Sequence, residues 1–97
     1  MSVLLLVRLV AKPGQGGAMK DLILPHMGDG SGIEGCSGLE LLIDAGDSDQ
    51  MTIIEWWTTV ATHKAQLAAL TAAGGMDAVL ALSATDPVRT YYTQTDG

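Results

Sequence analysis

The run from Val3 to Ala11 constrains this chain more than any other segment, because it consists almost entirely of leucine and valine and is broken only by Arg8. Lys12-Pro13-Gly14 ends it. In an extended strand successive side chains point to opposite faces, so Val3, Leu5, Val7 and Leu9 line one face while Leu4, Leu6 and Val10 line the other. A strand that is apolar on both faces must be covered on both. At 97 residues the chain has room for one domain, residues 1–97.

The remaining segments supply cover for one face. From Gln15 to Met27 the residues Met19, Leu22, Ile23 and Met27 recur at helical spacing, and Pro25 predicts that a regular helix stops or kinks near Leu24. Gly28-Asp29-Gly30-Ser31-Gly32 reads as a mobile loop. Leu39, Leu41 and Ile43 alternate with Gly38, Glu40 and Asp44 as a second strand, Ala45 to Ser48 turns the chain, and Gln50 to Thr58 returns as a third strand in an antiparallel hairpin. Thr58 or Thr59 can cap a second helix whose inward stripe is Val60, His63, Leu67 and Leu70, and Gly74-Gly75 ends it. Met76 to Leu82 adds a short helix, and Val88 to Thr95, introduced by Pro87, is a fourth strand. The order β-α-β-β-α-β predicts an α+β, ferredoxin-like fold, a four-stranded antiparallel sheet with its helices on one face. No helix is left for the other face. A second copy of the chain is expected to cover it, which makes the protein a homodimer of the dimeric α+β barrel kind.

Charge and motif content narrow the function. With only five lysines and arginines and a formal net charge of -6, the chain has no basic stripe, so neither nucleic acid nor an anionic membrane surface is an expected partner. The amino end lacks the long apolar run of a secretory signal, and no window approaches the about 18 residues of a membrane span, so a cytoplasmic location is expected. The lone Cys36 makes no internal disulfide, and two histidines at His26 and His63 do not have metal-ligand spacing. Gly14-Gln15-Gly16-Gly17 lacks the later glycine and acid of a dinucleotide site, and no serine sits in a nucleophile elbow. No metal and no cofactor is therefore expected.

Three segments resemble one known family. Glu34-Gly35-Cys36-Ser37-Gly38-Leu39-Glu40-Leu41 is similar to the entry into the second strand of antibiotic biosynthesis monooxygenase (ABM) domains, and Ile54-Glu55-Trp56-Trp57-Thr58-Thr59-Val60-Ala61-Thr62-His63 to their passage from third strand to second helix. Val7-Arg8-Leu9-Val10-Ala11-Lys12-Pro13-Gly14 resembles their first strand with its Lys-Pro-Gly end. The resemblance implies a dimeric α+β barrel with a pocket in each subunit between sheet and helices. It also implies chemistry in which a phenol or quinol is oxidised by molecular oxygen without metal or flavin, although family members that degrade haem and members without known reaction also exist. Haem degradation is not expected here, since the chain contains no asparagine and Val7 occupies the first-strand position where haem-degrading relatives carry theirs.

The candidate site residues follow from that pocket. Period-two alternation places Trp57 on one face with Met51, Ile53 and Glu55, where its ring either stacks on a flat aromatic ligand or serves as core. His63, in the inward stripe of the second helix, either takes a phenolic proton and holds a ligand oxygen, or is a hydrogen-bonded core histidine. Glu55 is either a base with a raised pKa or the partner of Arg8, Lys64 or Arg89. Gln66 stands where many relatives have histidine or tyrosine, and with Val7 and Ile53 completes the expected lining. Tyr91 and Tyr92 alternate across the fourth strand, so one faces the pocket and one the interface, with Tyr92 the pocket candidate. Two functions from different classes remain: a cofactor-independent monooxygenase acting on a hydrophobic phenol, quinol or polycyclic aromatic, with His63 and Trp57 as catalytic residues, or a non-catalytic dimeric module that binds a small aromatic ligand.

Overall fold

A computed structural model describes residues 3–27 and 32–94. Residues 28–31 of the loop expected from Gly28 to Gly32 and the Thr95 end of the fourth strand lie outside the described residues. The elements run β1 (Val3–Val10), α1 (Gly16–Met27), β2 (Cys36–Ile43), β3 (Gln50–Trp57), α2 (Val60–Ala72), α3 (Asp77–Leu82) and β4 (Val88–Thr93). They form one antiparallel sheet in the order β2-β3-β1-β4, the ferredoxin-like α+β arrangement.

The doubly apolar β1 lies inside the sheet, paired with β3 through Leu5↔Glu55 and Val7↔Ile53 and with β4 through Leu5↔Tyr91 and Val7↔Arg89. Its Leu5, Val7 and Leu9 are buried under the helices with Met19 and Ile23 of α1 and with Met51 and Trp57 of β3. On the opposite face Leu4, Leu6 and Val10 are half-buried, Arg8 is exposed, and Leu42 and Tyr92 are exposed large apolar groups. Trp56 points to that face as well, lying over Gly38, where a Cβ would meet its ring at 3.2 Å. The two faces of β1 therefore differ in cover, although apart from Arg8 both consist of leucine and valine.

Local chemistry sets the helix ends. The Asp49 carboxylate, from the start of the hairpin return, accepts the N–H groups of Gly14 (3.0 Å) and Gly16 (2.9 Å) and so caps α1 from outside the helix. Gly16 is required there, because a Cβ would run into the backbone carbonyl of Ser48. Of the stop or kink expected near Leu24, the stop does not form: α1 continues through Pro25 to Met27. Pro25 falls in the last turn, where it forfeits one N–H bond to the turn before it. Thr59 caps α2, its Oγ1 accepting the Thr62 N–H at 3.1 Å, and Gly74, with φ +75°, follows the helix end. Of the stripe expected on α2 only His63 is buried, and Leu70 is 46% exposed. The helix bridges a cavity instead of lying flush on the sheet.

Candidate active site

The cavity has a volume of about 580 Å³ and lies between the inner sheet face and the helices. Val7 and Leu9 of β1, with Ile53, Glu55 and Trp57 of β3 and Arg89 of β4, form its floor. His63, Gln66 and Leu67 of α2 wall one side, and Leu22, Ile23 and Met27 of α1 the other. His26 also reaches the cavity, although its position at a helix end predicts a plain surface residue. Most of the lining is aliphatic, so the few polar groups decide what the space can hold.

Two pairs of polar side chains are hydrogen-bonded here, Trp57 with Glu55 and His63 with Tyr91. Trp57 is buried, and its indole N–H donates to Glu55 Oε1 at 2.9 Å across two positions of the same strand. Burial pushes the Glu55 carboxyl above the ordinary carboxylate range, while the Trp57 hydrogen bond and the Arg89 charge pull it back. Glu55 thus takes an indole as its hydrogen-bond partner in place of an ion-paired cation, and Arg89 reaches it through its field.

His63 is buried with its Nδ1 2.6 Å from the Tyr91 hydroxyl. The imidazole sits edge-on between two rings, 5.1 Å from Trp57 and 5.4 Å from Tyr91 between centroids, at interplanar angles of 64° and 69°. Its pKa lies below the ordinary histidine value, first because burial disfavours the cation and then because Arg89 and Lys64 repel it. Burial raises the Tyr91 hydroxyl. At neutral pH a neutral imidazole therefore meets a protonated phenol, and the direction of their bond fixes the tautomer. If Tyr91 donates to Nδ1, the proton sits on Nε2, which then offers a donor. If Nδ1–H donates to the Tyr91 oxygen, Nε2 carries a lone pair and can accept a proton.

The structure brings Trp57, His63, Glu55, Gln66, Val7 and Ile53 to one cavity. Tyr92 does not join them. It pairs with Leu4 on the outer face and is 42% exposed, so the inner-face tyrosine is Tyr91, opposite the buried Leu5, which meets the cavity through its bond to His63 and does not line it directly. Sequence reasoning also gave Arg89 no place in the cavity, yet alternation carried the signal: Arg89 and Tyr91 share a face, so an Arg89 within range of Glu55 brings Tyr91 with it. Cys36 has its Sγ 3.4 Å from the Gly38 carbonyl, and burial raises its pKa, which keeps the thiol protonated and poorly nucleophilic. Among the described residues no cluster of three or more His, Cys, Asp or Glu side chains is placed to hold a metal ion, and no helix is long and apolar enough to cross a membrane.

A ferredoxin-like sheet roofed by helices over an apolar cavity, with a tryptophan at the end of the third strand, defines a small α+β domain with a cavity between its layers. The chain belongs to the antibiotic biosynthesis monooxygenase family, whose model matches residues 2–82. Among solved structures it resembles a mutant form of SnoaB, a cofactor-independent oxygenase from Streptomyces nogalater, at 17% identity over 99% of this chain and 95% of that one, with a TM-score of 0.80. Rv0793 from Mycobacterium tuberculosis is similar at 14% identity over 100% and 98%, TM-score 0.82. A candidate monooxygenase of the same family from Chloroflexus aurantiacus shares 24% identity over 100% and 98%, TM-score 0.72. At such identities these likenesses establish the fold and not the chemistry. No curated protein matches the chain significantly.

Proposed function

We propose that the protein is a cytoplasmic, homodimeric monooxygenase that oxidises a hydrophobic phenol, quinol or polycyclic aromatic with molecular oxygen and no bound cofactor. The observation that carries this reading is the His63 ring held between Trp57 and Tyr91 at the wall of an apolar cavity. A flat substrate lies over the Ile53 and Val7 floor against the Trp57 ring, with Gln66 available to a substrate oxygen. In the tautomer with Nδ1–H donated to Tyr91, His63 Nε2 accepts the phenolic proton, and the Tyr91 oxygen steadies the imidazolium that results. The substrate anion then supplies the electrons. For a ring carbon bearing two hydrogens that becomes a carbonyl, four electrons pass to dioxygen, one oxygen atom stays on carbon, and the other leaves as water with the two hydrogens. The homodimer is supported by the apolar outer face, where Leu4, Leu6, Leu42, Trp56 and Tyr92 gather in an isolated chain.

Oxygen uptake with a panel of quinols and anthrone-like phenols tests the reaction, with His63→Ala as the control variant. Consumption of oxygen that matches substrate loss, survives a chelator and falls in the variant is expected. Absence of uptake across the panel, with retained binding of the aromatics, instead supports a non-catalytic aromatic-binding module. The complete lack of asparagine favours that second reading, because among the described residues Gln66 is the one side-chain amide lining the cavity to orient oxygen or substrate.

A further inference from the structure

Arg89 lines the cavity and acts on its other polar groups by charge, yet none of the hydrogen bonds within the site, Trp57 to Glu55 and His63 to Tyr91, involves its guanidinium. It stands on the inner face of β4 opposite the buried Val7, and its side chain lines the cavity. The Glu55 carboxylate, the nearest candidate partner, spends a hydrogen bond on the Trp57 indole and feels Arg89 only as a field. The His63 and Tyr91 polar atoms are committed to one another. Arg89 acts on all three of these groups through its charge, favouring ionised Glu55 and Tyr91 and opposing protonated His63. It is therefore electrically central to the site while forming none of the site's internal hydrogen bonds among the described residues.

The sign of the cavity follows. The chain as a whole is acidic, yet two of its five basic residues, Arg89 and Lys64, act on His63. His63 is held neutral, and burial moves Glu55 toward its neutral form. The guanidinium cannot lose its proton in any working range of pH. Its fork of donors matches the two oxygens of a carboxylate better than a single-atom acceptor, and in a largely aliphatic cavity such a pair is weakly screened.

We infer that Arg89 is an anion-binding residue of this cavity and that the ligand it selects is an aromatic carboxylate, its ring toward Trp57 and Ile53 and its carboxylate on the guanidinium. This rests on the aromatic-pocket reading above and adds a required acidic group to it. Glu55 limits the affinity by like-charge repulsion. A ligand carboxylate therefore binds more tightly when Glu55 is uncharged.

Calorimetric titration of naphthoate and of its uncharged isostere naphthamide into the intact protein tests the assignment. The wild type is expected to bind naphthoate about 10- to 100-fold more tightly than naphthamide, the range of a charge-assisted hydrogen bond in a partly solvated site. Arg89→Gln should bring naphthoate affinity down to that of naphthamide measured in the same variant, Arg89→Lys should retain part of the preference, and Glu55→Gln should raise naphthoate affinity relative to naphthamide. Equal affinities in the wild type, or a preference that survives Arg89→Gln, overturns the role of Arg89 and leaves the aromatic pocket standing. Failure of both ligands to bind removes the aromatic pocket itself and this inference with it.

Discussion

Trp57→Phe is the substitution that most directly weighs the polar arrangement of the cavity against its packing. The smaller ring keeps an aromatic group in the core but removes the indole N–H that meets Glu55 Oε1 at 2.9 Å. A hydrogen bond to a charged group contributes about 1.5 to 3 kcal/mol, and the lost ring volume costs about 1 to 2 kcal/mol more by buried-carbon bookkeeping. A total of about 2.5 to 5 kcal/mol is a large share of the roughly 5 to 15 kcal/mol that holds a domain of this size together. The two parts separate by pH. Glu55 has a folded-state pKa above its unfolded value, so stability contributed by its protonated form is present at low pH and is lost as pH rises through the folded value. Removing the indole takes away a group that lowers this pKa, raises it further, and deepens the loss on the alkaline side. Urea denaturation followed by circular dichroism, at fixed protomer concentration, should therefore give a larger penalty for Trp57→Phe at about pH 8 than at about pH 5. In a Glu55→Gln background the penalty should shrink toward the packing part and lose its pH dependence. Equal penalties at both pH values and in both backgrounds would refute an energetic role for the Trp57 to Glu55 bond.

Further outcomes follow from the same geometry. If His63 is the base, turnover should rise with pH along an acid limb centred below the ordinary histidine value of 6.5, in the direction burial and Arg89 push it, and His63→Ala should cost about 10²-fold in turnover and remove the limb. Gly16→Ala should destabilise by about 1 to 3 kcal/mol in thermal melts, since its Cβ meets the Ser48 backbone carbonyl, which no rotamer change can move aside. Light scattering at micromolar concentration should report twice the 10.1 kDa chain mass, and Leu6→Asp on the outer face should shift it toward the monomer; a wild-type monomer would count against the homodimer.

The fold was legible because hydrophobic periodicity is a local signal and this chain's is strong. The alternation through Gln50 to Trp57, the turn at Ala45 to Ser48 and the Thr59 cap all lie within a few residues of the structure they specify. Pro25 argues for a stop because it forfeits the N–H bond to the carbonyl four residues earlier and crowds it, but this is a local cost of one bond, and packing of Met19 and Ile23 holds the helix together on the near side. The inward stripe of α2 misleads differently. Apolar spacing identifies the face a helix turns toward the sheet but cannot say whether that face meets side chains or a cavity, and Leu70 turns out exposed at the mouth. The choice between Tyr91 and Tyr92 is of a third kind, since it depends on the register of β4 against β1, which the connecting residues do not encode locally.

The polar residues of the inner face explain why this sheet is not simply an aliphatic one. An aliphatic residue at Glu55, Tyr91 or Arg89 would be easier to bury, and each polar choice carries a desolvation cost that a structural core has no reason to bear. Two of the three are compensated inside the protein, Glu55 by the Trp57 indole and Tyr91 by His63. Arg89 has neither of those partners, and it stands at the row of the sheet where Val7 and Ile53 leave the floor smooth. A half-buried guanidinium beside an apolar floor stays hydrated on its open side and gains most when an anion with an apolar body arrives. The two compensated pairs thus read as the fixed part of the site, and Arg89 as the part left for the ligand to complete.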